Sequence, residues 1–219
     1  MSTISSLLQI YLYFQAIDYA VEQNVEIISI STGFSQKAAG YEELERAIER
    51  AYFAHVLIFA AASNGGGNND RAFPARDKHV FCIHSTDATG TRSKFSPTAE
   101  NFVYNFATLG EAIESFWPTY LCKDDEDTVR VKSGTSFATP IAASIAAFLL
   151  LYARVHLDPE KANRLKRPSA MEALLHRISK STRAKKDRDD YQYLFLSRHP
   201  DTFFGGDVEE ISKAVLKCT

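Results

Sequence analysis

The chain has 219 residues, 45% hydrophobic and 12% aromatic, which is enough to bury a substantial core within one globular domain. A formal net charge of −2 predicts no special partner, nucleic acid included. The three cysteines (Cys82, Cys122 and Cys218), odd in number and widely spaced, exclude a disulfide framework or a zinc pattern.

In chain order, apolar residues at helical spacing (Leu7, Leu8, Tyr11, Phe14, Ile17, Val21) predict a first helix over about 4–23. That stretch lacks the basic start and continuous apolar centre of a signal peptide, and no Asn-x-Ser/Thr acceptor occurs anywhere, so an intracellular, cytoplasmic setting is expected. A strand over 26–31 runs into Ser31-Thr32-Gly33. A helix over 41–55 follows, with Glu42, Glu45, Arg46 and Glu49 on its wet side. The strand over 56–62 ends in Ser63-Asn64-Gly65. Asn64 before a glycine run is good turn chemistry by itself, and the glycines lack the Lys-Ser/Thr of a phosphate loop, so no nucleotide cofactor is expected.

A strand over 80–85 carries Cys82, read as a buried small hydrophobe, and His84, near the strand end with Asp87 close by. His84 is read as a satisfied strand-end histidine and left out of the site. A short strand over 105–108 comes next. Asp124-Asp125-Glu126-Asp127 has no convincing ligand spacing, so no metal is expected and the run is read as a solvated loop.

The run Lys132-Ser133-Gly134-Thr135-Ser136-Phe137-Ala138-Thr139-Pro140 then opens a helix. Gly134 allows a tight turn, Thr135 and Ser136 are types suited to a helix cap, and Pro140 is read as lying in the first turn. Ala138, Ala142, Ala143, Ala146 and Ala147 alternate with Ile141, Ile145, Phe148 and Leu149. This helix is therefore expected to be apolar nearly all round and to cross the core, holding Ser136 rigidly beside free amides that favour negative charge. The stretch 141–153 is too short and too alanine-rich to span a bilayer, so no membrane partner is expected. A helix over 169–179, a mixed-charge solvated linker over 183–190 and a short helix over 208–216 complete the chain. The alternation predicts an α/β fold, a mostly parallel sheet with helices on both faces.

Gly134-Thr135-Ser136-Phe137-Ala138-Thr139-Pro140 resembles the nucleophile motif of the subtilisin-like serine proteases, the subtilases of peptidase family S8. The strand ending in Asn64 resembles the one that carries the family's oxyanion-hole asparagine, although Ser63 stands where the family usually has glycine. The strand ending in Ser31-Thr32-Gly33 is similar to the one that pairs with the substrate backbone. The order and spacing of the three blocks fit, and the texture is closest to fungal intracellular subtilase domains. The resemblance implies a serine endopeptidase acting on an extended polypeptide, with Ser136 as nucleophile, Asn64 and the Ser136 amide as oxyanion hole, and Ser31, Thr32 and Gly33 binding substrate. The family's aspartate and His-Gly motifs have no counterpart: the histidines are His55, His79, His84, His156, His176 and His199, and none precedes glycine. On this resemblance residues 1–183 form the C-terminal portion of a protease domain whose N-terminal part, with the catalytic Asp and His, lies upstream along with any fused domains. Residues 184–219 form a charged extension with no assigned role. The rival expectation is a catalytically inactive, subtilase-derived peptide-binding or regulatory module.

Overall fold

The computed structural model describes residues 3–35, 40–67, 69–101, 103–122, 128–181 and 190–219. The acidic run 124–127 and the linker over 183–189 lie outside the described residues. In chain order the elements are α1 (Thr3–Glu22), β1 (Ile27–Ile30), α2 (Tyr41–Phe53), β2 (Leu57–Ala61), β3 (Phe81–Thr86), β4 (Phe106–Leu109), β5 (Ile113–Phe116), β6 (Val129–Lys132), α3 (Thr135–His156), α4 (Pro159–Arg164), α5 (Pro168–Ser181), β7 (Gln192–Tyr193) and α6 (Val208–Leu216). Five strands form one sheet in the order β1-β2-β3-β4-β7. Each pairs in parallel with its neighbour. β5 and β6 form a separate antiparallel pair.

Every residue of β2 and β3 is buried, as expected of central parallel strands covered on both faces, and their sequences accordingly show no polar alternation. Leu57 and Phe59 join one core with Phe81, Ile83 and Phe106, covered by α3, α5 and α6. Ile58 and Ala60 point the other way with Cys82, under Ile10 and Ile17 of α1 and Leu44 and Ile48 of α2. Helices thus cover both faces of the sheet. Residues 190–219 belong to the first core. β7 extends the sheet beside β4, Leu194 is buried, Ile211 and Val215 of α6 pack under α3, and Tyr152 Oη donates to the Val208 carbonyl at 3.2 Å.

α3 departs from the sequence reading. It is long and apolar enough to cross a membrane, yet in this fold only half of its most apolar stretch is buried. Ala138, Ala142, Ala146, Leu149 and Ala153 lie on the sheet, while Ser144, Ala147, Leu151 and Val155 face solvent. The helix therefore does not cross the core with cover all round. The sheet stops at β1, and among the described residues no element lies over the outer face of α3.

Candidate active site

The three blocks singled out in the sequence converge at the carboxyl end of the parallel strands, where α/β sheets place their sites. Ser31 follows β1, Asn64 stands three residues beyond β2, and Ser136 is the second residue of α3. Gly134 is the N-cap of α3, and its N–H donates to Gly110 O at 2.8 Å. The expected side-chain cap is absent: neither Thr135 nor Ser136 caps the helix. Asn64 does so from a distance, its Oδ1 accepting from the Thr135 N–H at 2.8 Å and from Thr135 Oγ1 at 3.0 Å. A backbone N–H can only donate, so this contact fixes which end of the Asn64 amide is the oxygen and directs the N–H₂ end away from Thr135. A Cβ on Gly134 would sit 3.2 Å from Asn64 Nδ2, so glycine at that position keeps the donor uncrowded. Asn64 is exposed, which opens its amide to an incoming group.

Ser63 stands where glycine was expected, at φ 138°, a conformation that favours glycine. The backbone keeps the glycine-like path, at a strain on the order of 1–3 kcal/mol. Its hydroxyl accepts from the Gly65 N–H at 3.2 Å, one local compensation.

Ser136 and Ser31 are joined twice. Ser136 Oγ donates to Ser31 O at 2.7 Å, and Ser31 Oγ donates to Ser136 O at 2.9 Å. The second bond has a cause in the sequence. Pro140 is not in the first turn, as had been expected, but is the sixth residue of α3, four beyond Ser136, so it cannot supply the N–H that the Ser136 carbonyl would receive in an uninterrupted helix. The Ser31 hydroxyl takes that place. Gly33 is required by close approach, since a Cβ there would lie 2.6 Å from Phe73 O. Phe34 and Phe73 exchange both backbone hydrogen bonds, at 2.8 and 2.9 Å, and so hold the Ser31, Thr32 and Gly33 backbone in place, with Thr32 and Gly33 exposed. Gly110 and Phe73 were not singled out in the sequence, and neither had a local signal there. Thr135 was read only as a cap residue, not as the partner that orients Asn64.

His84 lies within β3 rather than at its end, paired with Ala107 and fully buried. Its Nε2 is 3.7 Å from Cys82 Sγ and its ring meets Tyr191 edge-on. Burial, reinforced by the Arg71 and Arg92 guanidiniums, pushes its pKa down to about 3, so the imidazole is neutral. Among the described residues no imidazole is hydrogen-bonded to Ser136, and no group of three or more His, Cys, Asp or Glu side chains is placed to hold a metal ion.

The sequence profile described as the subtilase family matches residues 4–193. The chain belongs to the subtilases. This subtilase is 32% identical over 140 residues to the subtilisin-like protease het-Q2 of Podospora anserina, a match covering 63% of this chain and 37% of that protein. It is 33% identical over 133 residues to thermitase of Thermoactinomyces vulgaris, covering 61% and 43%. The chain therefore spans less than half the length of these relatives. Among solved structures, the prenylagaramide maturation protease PagA superposes with a TM-score of 0.63 at 23% identity, over 92% of this chain and 66% of that one. The self-cleaved protease domain of PatA gives 0.64 at 24%, over 92% and 66%. Both show the subtilase fold.

Proposed function

We propose that this subtilase chain carries the nucleophile and the oxyanion-binding half of a serine endopeptidase site. Ser136 Oγ forms the bond to the peptide carbonyl carbon. Asn64 Nδ2 and the Ser136 N–H, which lies in the first turn and has no carbonyl one turn back, hold the oxygen as it becomes negative. The Ser31, Thr32 and Gly33 backbone binds an extended polypeptide substrate. The proton leaving Oγ goes to a base and from it to the departing amine, and water then releases the acyl group from Ser136. The observation that carries this reading is the fixed Asn64 amide, its oxygen consumed by Thr135 and its N–H₂ free beside the tip of α3.

A serine hydroxyl is a weak nucleophile, and the base and its orienting carboxylate come from polypeptide outside these residues. Loss of the triad in a subtilisin removes about 10⁶ in turnover and leaves about 10³–10⁴ over water. The 219 residues alone are accordingly nearly inert. A second reading, a subtilase-derived module that binds peptides without cleaving them, is favoured by one contact: Ser136 Oγ donates to the Ser31 carbonyl and not to a base.

The test is labelling with a fluorophosphonate, read by intact mass, on the longest natural polypeptide that contains this sequence. A single adduct that is lost in Ser136→Ala, together with cleavage of a casein substrate, supports the hydrolase. Peptide binding with neither label nor cleavage assigns the binding module.

A further inference from the structure

A cavity of about 220 Å³ opens at the amino ends of β3 and β4, the end of the sheet opposite Ser136. Its apolar wall is aromatic, with Tyr52 from the last turn of α2, Phe81 at the start of β3, and Tyr104 just before β4. Its polar wall is made by Arg71 and by the first turns of α5, where Ser169 and Glu172 stand.

Each of these three residues carries an unmet group. Arg71 is only 5% exposed. Asn105 Oδ1 pins its guanidinium by accepting from Nη2, and also accepts from the Glu100 N–H at 2.9 Å. Arg71 Nε is buried and lies 3.1 Å from Glu100 Oε1, but without the alignment of a hydrogen bond. At the start of α5 the Ala170 and Met171 amides bond Arg167 O, while among the described residues the Ser169 N–H meets no carbonyl. Glu172 is half-buried, and among the described residues no cation or hydrogen-bond donor reaches its carboxylate. Burial alone raises its pKa, so neither the nearby helix end nor any basic side chain offsets its loss of water.

The unmet groups are of opposite sign and line one cavity, which decides what fits. A metal cation would be repelled by the Arg71 guanidinium and a simple anion by Glu172. A ligand carrying both charges satisfies both. We propose that this cavity binds a free aromatic α-amino acid, its carboxylate on Arg71 and the Ser169 N–H, its ammonium on Glu172 and its ring against Phe81 and Tyr104. A carboxylate on a guanidinium and on a helix's first amide gains charge-assisted hydrogen bonds, and a ring among aromatic side chains gains edge or offset stacking. The cavity is smaller than the roughly 300–1,000 Å³ of pockets for drug-sized ligands, which suits a single residue rather than a peptide. The proposal stands apart from the reading of Ser136 as a nucleophile, because the two sites lie at opposite ends of the sheet.

The test is isothermal titration of the 219-residue chain with L-phenylalanine, for which saturable one-to-one binding is expected. 3-Phenylpropionate lacks only the ammonium and phenethylamine only the carboxylate, and each should bind at least tenfold more weakly. Glu172→Gln should weaken L-phenylalanine at least tenfold and leave 3-phenylpropionate unchanged, a split that a merely structural role would not produce. Glu114→Gln, on the β5 and β6 hairpin, should change neither. No saturable binding up to about 10 mM L-phenylalanine overturns the proposal. Equal affinity for 3-phenylpropionate overturns it and gives the cavity to a carboxylate alone, such as the end of a peptide, and equal affinity for phenethylamine gives it to an amine. Unchanged L-phenylalanine binding in Glu172→Gln places the ligand elsewhere and overturns it as well.

Discussion

Lowering the pH from 7 to 5 should cost this fold about 2 kcal/mol through His84 alone. The imidazole has an ordinary pKa of 6.5 when the chain is unfolded and about 3 in the folded sheet, where burial and the Arg71 and Arg92 charges keep it neutral. Between those values the unfolded chain binds a proton that the folded chain refuses, so stability falls as pH drops below 6.5. At pH 5 the unfolded imidazole is almost fully protonated, a stabilisation of the unfolded state of about 2 kcal/mol, against almost none at pH 7. For a domain of this size that lowers Tm by about 4–8 °C. Urea unfolding at both pH values, on the wild type and on His84→Gln, isolates the effect as a double difference, because His176, whose pKa is also lowered by burial, is common to both chains. Equal pH dependence in the two chains, or a His84 NMR titration near 6.5, would refute the buried neutral histidine and reopen His84 as a candidate base.

Asn64 separates structure from chemistry. On the proposed hydrolase reading, Asn64→Asp keeps an acceptor for Thr135 and loses the N–H₂ donor, so turnover of a natural polypeptide containing this sequence should fall about 10²–10³, a span set by a subtilisin, with Tm nearly unchanged. Asn64→Leu should lose the same turnover and a further 1–2 kcal/mol or so of stability, since two Thr135 donors lose their acceptor; an Asn64→Asp that turns over normally removes the oxyanion role. Burial pushes the Cys82 thiol up to about 12, so a thiol reagent at pH 8 should modify Cys122 first, half-buried Cys218 more slowly and Cys82 only on unfolding; three equal rates would contradict this packing. At Glu26, burial favours the neutral acid but is outweighed by hydrogen bonds from Lys166, at 2.7 Å, and Arg154, so its pKa is lowered and its contribution disappears as pH falls through the folded value. Glu26→Gln should cost about 1 kcal/mol or less in a urea titration at pH 7, because these groups remain partly in solvent.

The buried parallel strands were legible because burial on both faces leaves a continuous apolar run, and Leu57-Ile58-Phe59-Ala60-Ala61 needs no partner to be recognised. α6, Val208–Leu216, was legible from its periodicity. The β5 and β6 hairpin was not, since Glu114, Ser115 and Phe116 face solvent and β5 carries no buried pattern. β7 is a strand only because Phe106 and Ala107 offer their edge to Gln192 and Tyr193, a fact of tertiary pairing. At the site, Ser136 and Asn64 were legible as types at a spacing, but the Thr135 contact that orients Asn64 requires residues 71 positions apart to meet. The composition of α3 pointed to a fully enclosed helix. Its exposed Leu151 and Val155 reflect where the sheet stops, which a single helix does not encode.

Pro140 has a mechanical consequence. With no amide hydrogen there, the first carbonyl of consequence in α3 is tied to a different element of the fold, through the Ser31 hydroxyl. The tip of α3 is thus laced to the residue that follows a strand rather than to its own next turn. Tension or slack in that strand is delivered to the Ser136 backbone through one hydrogen bond, while the remainder of the helix stays anchored on the sheet. Pro140→Ala would supply the rung that the native helix lacks and release the lacing, so the proline makes the pose of Ser136 answer to its neighbour.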